Sequence, residues 1–240
     1  MEKVILKKIA FVILSLFFMT VAKAQDDRIE TTIAADFVSQ YIWRGQDLGS
    51  TAVQPTLGVG AKGLSLTAWG SYGLTNPDDT KEFDLTLDYT IGGLNFGVTD
   101  YWFDAGLDPK ARYFKYDAHS TNHLFEAFLG YDFGVVSAAW FTNFAGNDGT
   151  NSKGERAYSS YFELNVPFKG AGIDWTGTLG AVPFATTLYD TTGFALTNLS
   201  LRATKEIRVT DSFSIPIFGQ LTGNPRSQKA YFVFGFTLQP

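Results

Sequence analysis

Cysteine is absent from these 240 residues, and histidine occurs only twice, as His119 and His123. Without cysteine there is no disulfide framework and no thiolate metal site. Two histidines also leave little for nucleophilic or general-base chemistry. His119 falls in a polar loop, and His123 and Glu126 fall on opposite faces of one extended segment. No G-x-S-x-G segment accompanies them. Neither an enzyme nor a cofactor is expected. A metal site is not expected either, because Asp78-Asp79 in NPDDTKEFD reads as a polar turn and lacks the spacing of a calcium loop. Past residue 24 there is no run of eighteen apolar residues to form a spanning helix.

Basic residues are scarce as well. The opening MEKVILKKIAFVILSLFFMTVAKA places Lys3, Lys7 and Lys8 ahead of an apolar run from Ile9 to Val21, then closes with Ala22-Lys23-Ala24. That is the layout of a secretory signal peptide, so residues 1–24 are expected to be removed and 25–240 to fold. The remainder carries 15 Lys and Arg against 23 Asp and Glu, a net charge of −8. Such a chain has no electrostatic case for binding nucleic acid.

Alternation is what the sequence has in quantity. In EFDLTLDYTI, Phe83, Leu85, Leu87, Tyr89 and Ile91 interleave with Glu82, Asp84, Thr86, Asp88 and Thr90. A period of two puts the apolar set on one face of a strand and the acidic set on the other. The pattern recurs over 29–44, 53–61, 64–74, 94–103, 123–131, 136–144, 158–168, 173–182, 194–205, 213–222 and 229–238. With the opening example this predicts twelve strands of nine to sixteen residues, long enough to cross a tilted bilayer. AKG, IGG, DFG and KGAG make short connections, and longer polar ones lie between them. The predicted fold is an all-β, antiparallel, up-and-down transmembrane barrel with its apolar face in lipid. Closure is obligatory, since bare strand edges in hydrocarbon leave unsatisfied backbone groups. Tyr41, Trp43, Tyr89, Trp102, Tyr131, Trp140, Tyr158 and Trp175 are candidates for the interfacial girdle.

Alternation also assigns a lumen. Glu82, Asp84, Asp88, Glu126, Glu163 and Asp174 are expected to line it, with Arg44 and Arg202 as the basic residues among them. An acidic tube would favour cations. The same carboxylates could instead hydrogen-bond their neighbours and seal a filled barrel, with Trp69, Phe128, Phe141, Tyr161 and Phe218 as bulk. The longest loop, 105–121, could fold inward, or outward so that Lys110, Arg112 and Lys115 meet lipopolysaccharide phosphates.

The segment FVSQYIWRGQDLGSTAVQPTLGVG resembles the opening of the TorF porin family, bacterial outer-membrane barrels. Tyr41, Ile42, Trp43, Arg44 and Gly45 fall on its aromatic–aliphatic–Arg-Gly pattern, and Ala52, Val53 and Gln54 on the start of its second strand. FGQLTGNP and FVFGFTL resemble members from Bacteroidetes-type bacteria. Gln40 stands where many members carry Asp. The closing AYFVFGFTLQP resembles the assembly signal of outer-membrane proteins, but it lacks the terminal aromatic. The resemblance implies a barrel in the outer membrane of a Gram-negative bacterium. Outer-membrane lipid, lipopolysaccharide and the barrel-assembly machinery would then be its partners, and small solutes would pass if the lumen is open.

Overall fold

The computed structural model describes residues 29–76, 78–104, 111–117, 120–211 and 213–240. The signal sequence, Lys110 and His119 lie outside them. In chain order the strands are β1 (Glu30–Val38), β2 (Tyr41–Trp43), β3 (Gln46–Gly49), β4 (Ala52–Ala61), β5 (Leu64–Gly73), β6 (Glu82–Ile91) and β7 (Leu94–Phe103). Then follow β8 (His123–Asp132), β9 (Ser137–Gly146), β10 (Ser160–Gly170), β11 (Ile173–Val182), β12 (Ala195–Arg208), β13 (Ser214–Asn224) and β14 (Lys229–Leu238). All but β2 and β3 join one closed sheet of twelve strands, each antiparallel to its neighbours in sequence, with β1 between β4 and β14.

Local chemistry sets the tight turns. Lys62-Gly63 and Ala171-Gly172 have φ of 55° and 83°, and of 53° and 72°. Positive φ at both central residues is the two-residue hairpin turn whose twist matches the flanking strands. These turns gather at one rim, and the longer connections lie at the other. The closing seam is short: Ala35 to Val38 pair with Leu238 to Gly235. There Phe37 stacks on Phe236, centroids 4.9 Å apart, and Ser39 exchanges two hydrogen bonds with the Phe234 backbone.

The two faces differ as a membrane requires. Along β14, Phe232 and Phe234 are 63% and 62% exposed, while Val233 between them is 5% exposed. Leu57, Leu66, Leu87, Val98, Leu129, Val166, Leu201 and Leu221 continue the outward apolar band around the sheet. An exposed band of this extent belongs in hydrocarbon, since soluble monomers rarely carry apolar patches beyond a few hundred Å². Tyr131, Phe133, Phe168 and Trp175 flank the band on the short-turn side, and Tyr72, Phe144 and Tyr158 on the other.

A charge placed in the band should be costly. Phe234→Lys is expected to destabilise the folded barrel by about 2–4 kcal/mol near mid-depth, read from urea unfolding in lipid vesicles. Gln220→Lys on the inward face of β13 should cost much less. Equal penalties would contradict this assignment of faces.

One sequence expectation needs correcting. The first strand does not run from 29 to 44; it ends at Val38, and Tyr41 to Gly49 form a separate hairpin. Tyr41 and Trp43 therefore do not belong to the girdle. Tyr41 is buried, and its ring packs against Trp69. The run misled because Tyr41 and Trp43 return in register with Ala35 and Phe37, although Val38-Ser39-Gln40 interrupts the alternation between them.

Candidate functional site

The hairpin β2–β3 turns into the barrel. Its tip is Arg44-Gly45, between the paired Trp43 and Gln46, with φ of 49° and 80°. Glycine adopts this conformation readily, whereas arginine does so at a cost of about 1 kcal/mol. The contacts made by the tip offset that cost. Arg44 Nη1 and Nη2 donate to Glu126 Oε2 and Oε1 at 2.7 and 2.8 Å, a bidentate pair. Nη1 also donates to the Tyr189 hydroxyl at 2.7 Å. The side chains of Arg44 and Glu126 are only 7% and 2% exposed.

Aromatic rings close in on the guanidinium. Its Cζ lies 4.4 Å from the Trp43 ring, 4.2 Å from Phe141 and 4.7 Å from Tyr161. Trp43, Tyr189 and Tyr161 stack in sequence, with centroids 5.8 and 5.9 Å apart. Burial pushes the Tyr189 phenol above its usual range, and the neighbouring Arg44 opposes that shift. Farther round the wall the Gly45 carbonyl accepts from Asn224 Nδ2 at 3.0 Å, and Gly45 lies hard against the Thr197 carbonyl. The tip thus touches β8, β9 and β10 and, beyond β11, β12 and β13. With Tyr41 against Trp69 of β5 and Trp43 against Tyr101 of β7, the hairpin crosses the lumen.

The predicted lining residues do not share one environment. Glu126 meets Arg44 in the cluster just described and also accepts from the Tyr101 hydroxyl at 2.9 Å. Glu82 and Asp84, each 7% exposed, face the same layer from β6, where Asp84 pairs across strands with Trp69 and Tyr101. Asp88 and Glu163 hydrogen-bond polar neighbours instead. Asp88 accepts from Ser65 and from Asn95 (3.0 Å), and Glu163 from Tyr161 and Asn165, both at 2.8 Å. Arg202 rests on the Phe218 ring, 3.6 Å from its centroid. Asp174 is not brought to this cluster; it forms an exposed pair with Lys169 beside a turn, at 3.0 Å.

Two features escaped the sequence reading. Tyr189, in the loop before β12, has no local signal that would mark it as a partner of Arg44. Asp100 did have one, because it is a carboxylate in the outward row with Val98 and Trp102. On the outer wall its Oδ1 lies 2.7 Å from His123 Nδ1, while His123 Nε2 lies 2.5 Å from the Tyr113 carbonyl oxygen. The Tyr113 ring packs edge-on against Phe83 and Trp102, and Tyr116 stacks on His123. The described part of the long loop, 111–117, therefore lies outside the barrel, not in its mouth. Both ring nitrogens of His123 are taken, by a carboxylate and a carbonyl, so the ring ties loop to wall.

No family model matches the chain, and no curated protein matches it. Among solved structures, the crystal structure of the COG4313 outer membrane channel from Pseudomonas putida F1 is similar at 15% identity. The match covers 90% of this chain and 97% of that one, with a TM-score of 0.45. A likeness this distant adds nothing to the fold described above.

Proposed function

We propose that the chain is an outer-membrane channel for small solutes, with its lumen constricted by the first hairpin and its acidic wall favouring cations. The observation that carries this reading is what fills the barrel. The layer at Arg44 is closed by a segment held through side-chain contacts, not by the wall itself. Around it stand the carboxylates of Glu82, Asp84 and Glu126, against one guanidinium. A low-dielectric tube with that imbalance concentrates cations. The TorF-like YIWRG segment agrees, since those same residues form the constricting hairpin. The strap at 111–117, with exposed Arg112 and Phe114, would meet lipopolysaccharide phosphates at the outer rim.

A second reading has an observation in its favour. The bidentate Arg44–Glu126 pair could hold the barrel shut permanently, leaving a structural or surface role. Planar-bilayer conductance across a salt gradient decides between them. A channel gives discrete steps and a cation-sided reversal potential, and Asp84→Asn with Asp88→Asn moves that potential toward zero. Silence from folded protein, with Arg44→Ala silent as well, favours the closed barrel. Unchanged selectivity in a conducting double variant removes Asp84 and Asp88 from the pathway.

A further inference from the structure

The outward row of β7 carries one carboxylate, Asp100, between Val98 and Trp102. An ionised carboxylate on a wall that faces lipid is costly unless a positive group neutralises it. Beside it stands His123 of β8, whose side chain is wholly buried. Its ring nitrogens meet Asp100 Oδ1 at 2.7 Å and the Tyr113 carbonyl oxygen at 2.5 Å. A backbone carbonyl only accepts hydrogen bonds, and so does an ionised carboxylate. A neutral imidazole has a single N–H, so it serves one of these oxygens and turns a bare lone pair to the other. One further proton settles both contacts. On the ring, it lets the imidazolium donate twice. On Asp100, it lets the carboxyl donate to Nδ1 while the Nε2–H donates to Tyr113. Either way the pair is neutral overall, which suits the outer wall. The rings agree, since Tyr116 and Phe125 stack on His123 with centroids 4.1 and 6.0 Å away, and aromatic faces attract positive charge.

We propose that His123 and Asp100 together form a proton-dependent latch that fastens the strap 111–117 to the barrel wall. The latch belongs to the outer wall and works whether or not the lumen conducts. The other titratable groups facing His123 are the phenols of Tyr113 and Tyr116 on the strap. Among the described residues, neither Arg112, Lys115 nor Asp117 of the strap pairs with His123 or Asp100. On the neighbouring strands, Glu126 is turned inward to Arg44, and Lys81 is paired with Asp104. The fastened strap holds one proton more than the free one, so acid favours fastening and rising pH releases it. Once that proton leaves, the ring no longer donates to both oxygens. What then holds the strap is ring packing, Tyr113 on Phe83 and Trp102, and the Thr121 hydroxyl donating to the Lys115 carbonyl at 2.6 Å.

Two measurements test the latch in the folded barrel in micelles. His119→Gln leaves His123 as the single histidine, so nitrogen NMR of isotope-labelled histidine reads its ring alone. At neutral pH both ring nitrogens are expected to carry or share a proton, and a bare nitrogen at either position overturns the proposal. Because the chain lacks cysteine, Phe114→Cys, at a position 88% exposed, takes one spin label that reports motion of the strap. Between about pH 5 and about pH 9, across histidine's change of charge, the label should pass from restricted to mobile. Asp100→Asn should abolish that transition and keep the strap fastened throughout. Its amide donates to Nδ1 and leaves the Nε2–H for Tyr113, with no extra proton needed. His123→Phe keeps the stacking but removes both polar ties, and its label should be mobile at every pH. A label indifferent to pH in the native background, equally sensitive to pH with Asp100→Asn, or still restricted with His123→Phe overturns the latch. Heat-shifted gel mobility checks that each variant is folded. The NMR reading uses neither latch substitution, so it decides even where those variants do not fold.

Discussion

Arg44→Ala is expected to turn a barrel of low conductance into one with large, long-lived openings. The substitution removes both arms of the fork on Glu126, the bond to Tyr189 and the cation over three rings. Stripping one partner from a buried ion pair typically costs about 3–5 kcal/mol, because the other charge is left unmatched. That cost need not fall on the barrel wall. Glu126 regains water as soon as the hairpin leaves, so the hairpin's seat gives way and the sheet survives. Single-channel conductance should rise several-fold while the heat-shifted gel mobility persists. Arg44→Lys should fall between, since an ammonium keeps the charge but not the fork. An Arg44→Ala barrel that conducts no better than the native chain would show that the hairpin is not the constriction.

Gly45→Ala should open the lumen by shape alone. A Cβ at Gly45 would come within 1.8 Å of the Thr197 carbonyl oxygen and 2.9 Å of its carbon, with φ at 80°. Both atoms are backbone of β12, at the bulge where Thr197 has no partner in β11, and backbone yields far less readily than the end of a flexible side chain. The hairpin must lift, taking Arg44 with it although every charge is still present. Conductance close to that of Arg44→Ala is the expected result. A Gly45→Ala barrel that stays as closed as the native one would mean that the tip does not sit against β12. Together the two substitutions separate what charge contributes to the closure from what close approach contributes.

The barrel was legible because a period of two in hydrophobicity reports directly on which face meets lipid. The spans predicted for β6, β7 and β14 coincide with those observed, and the inward acids of β6 follow from the same count. The hairpin was not legible from that signal. Tyr41 and Trp43 continue the apolar rhythm of β1, and the residue types suited to a membrane interface also suit a buried aromatic cluster. Gly45, directly after Arg44, was the available clue to a turn. The partner of Arg44 could not be read at all, because 82 residues separate it from Glu126 and alternation says nothing about which strands face each other across a tube. Asp100 is the opposite case: a charge in a row otherwise free of charge, whose explanation needed the loop that covers it.

The separation of the hairpin's contacts along the chain also bears on the order of folding. Arg44 meets Glu126 and Tyr189 at distances of 82 and 145 residues, and Gly45 meets Asn224 at 179. Contacts so distant in sequence form late, after the strands that carry them have zipped together. The segment that closes the lumen precedes all but the first strand, yet its seat is completed only by β12 and β13, near the chain's end. During assembly the barrel would therefore exist first as an unobstructed tube. In a refolding experiment, burial of Trp43 should then lag behind the appearance of β structure.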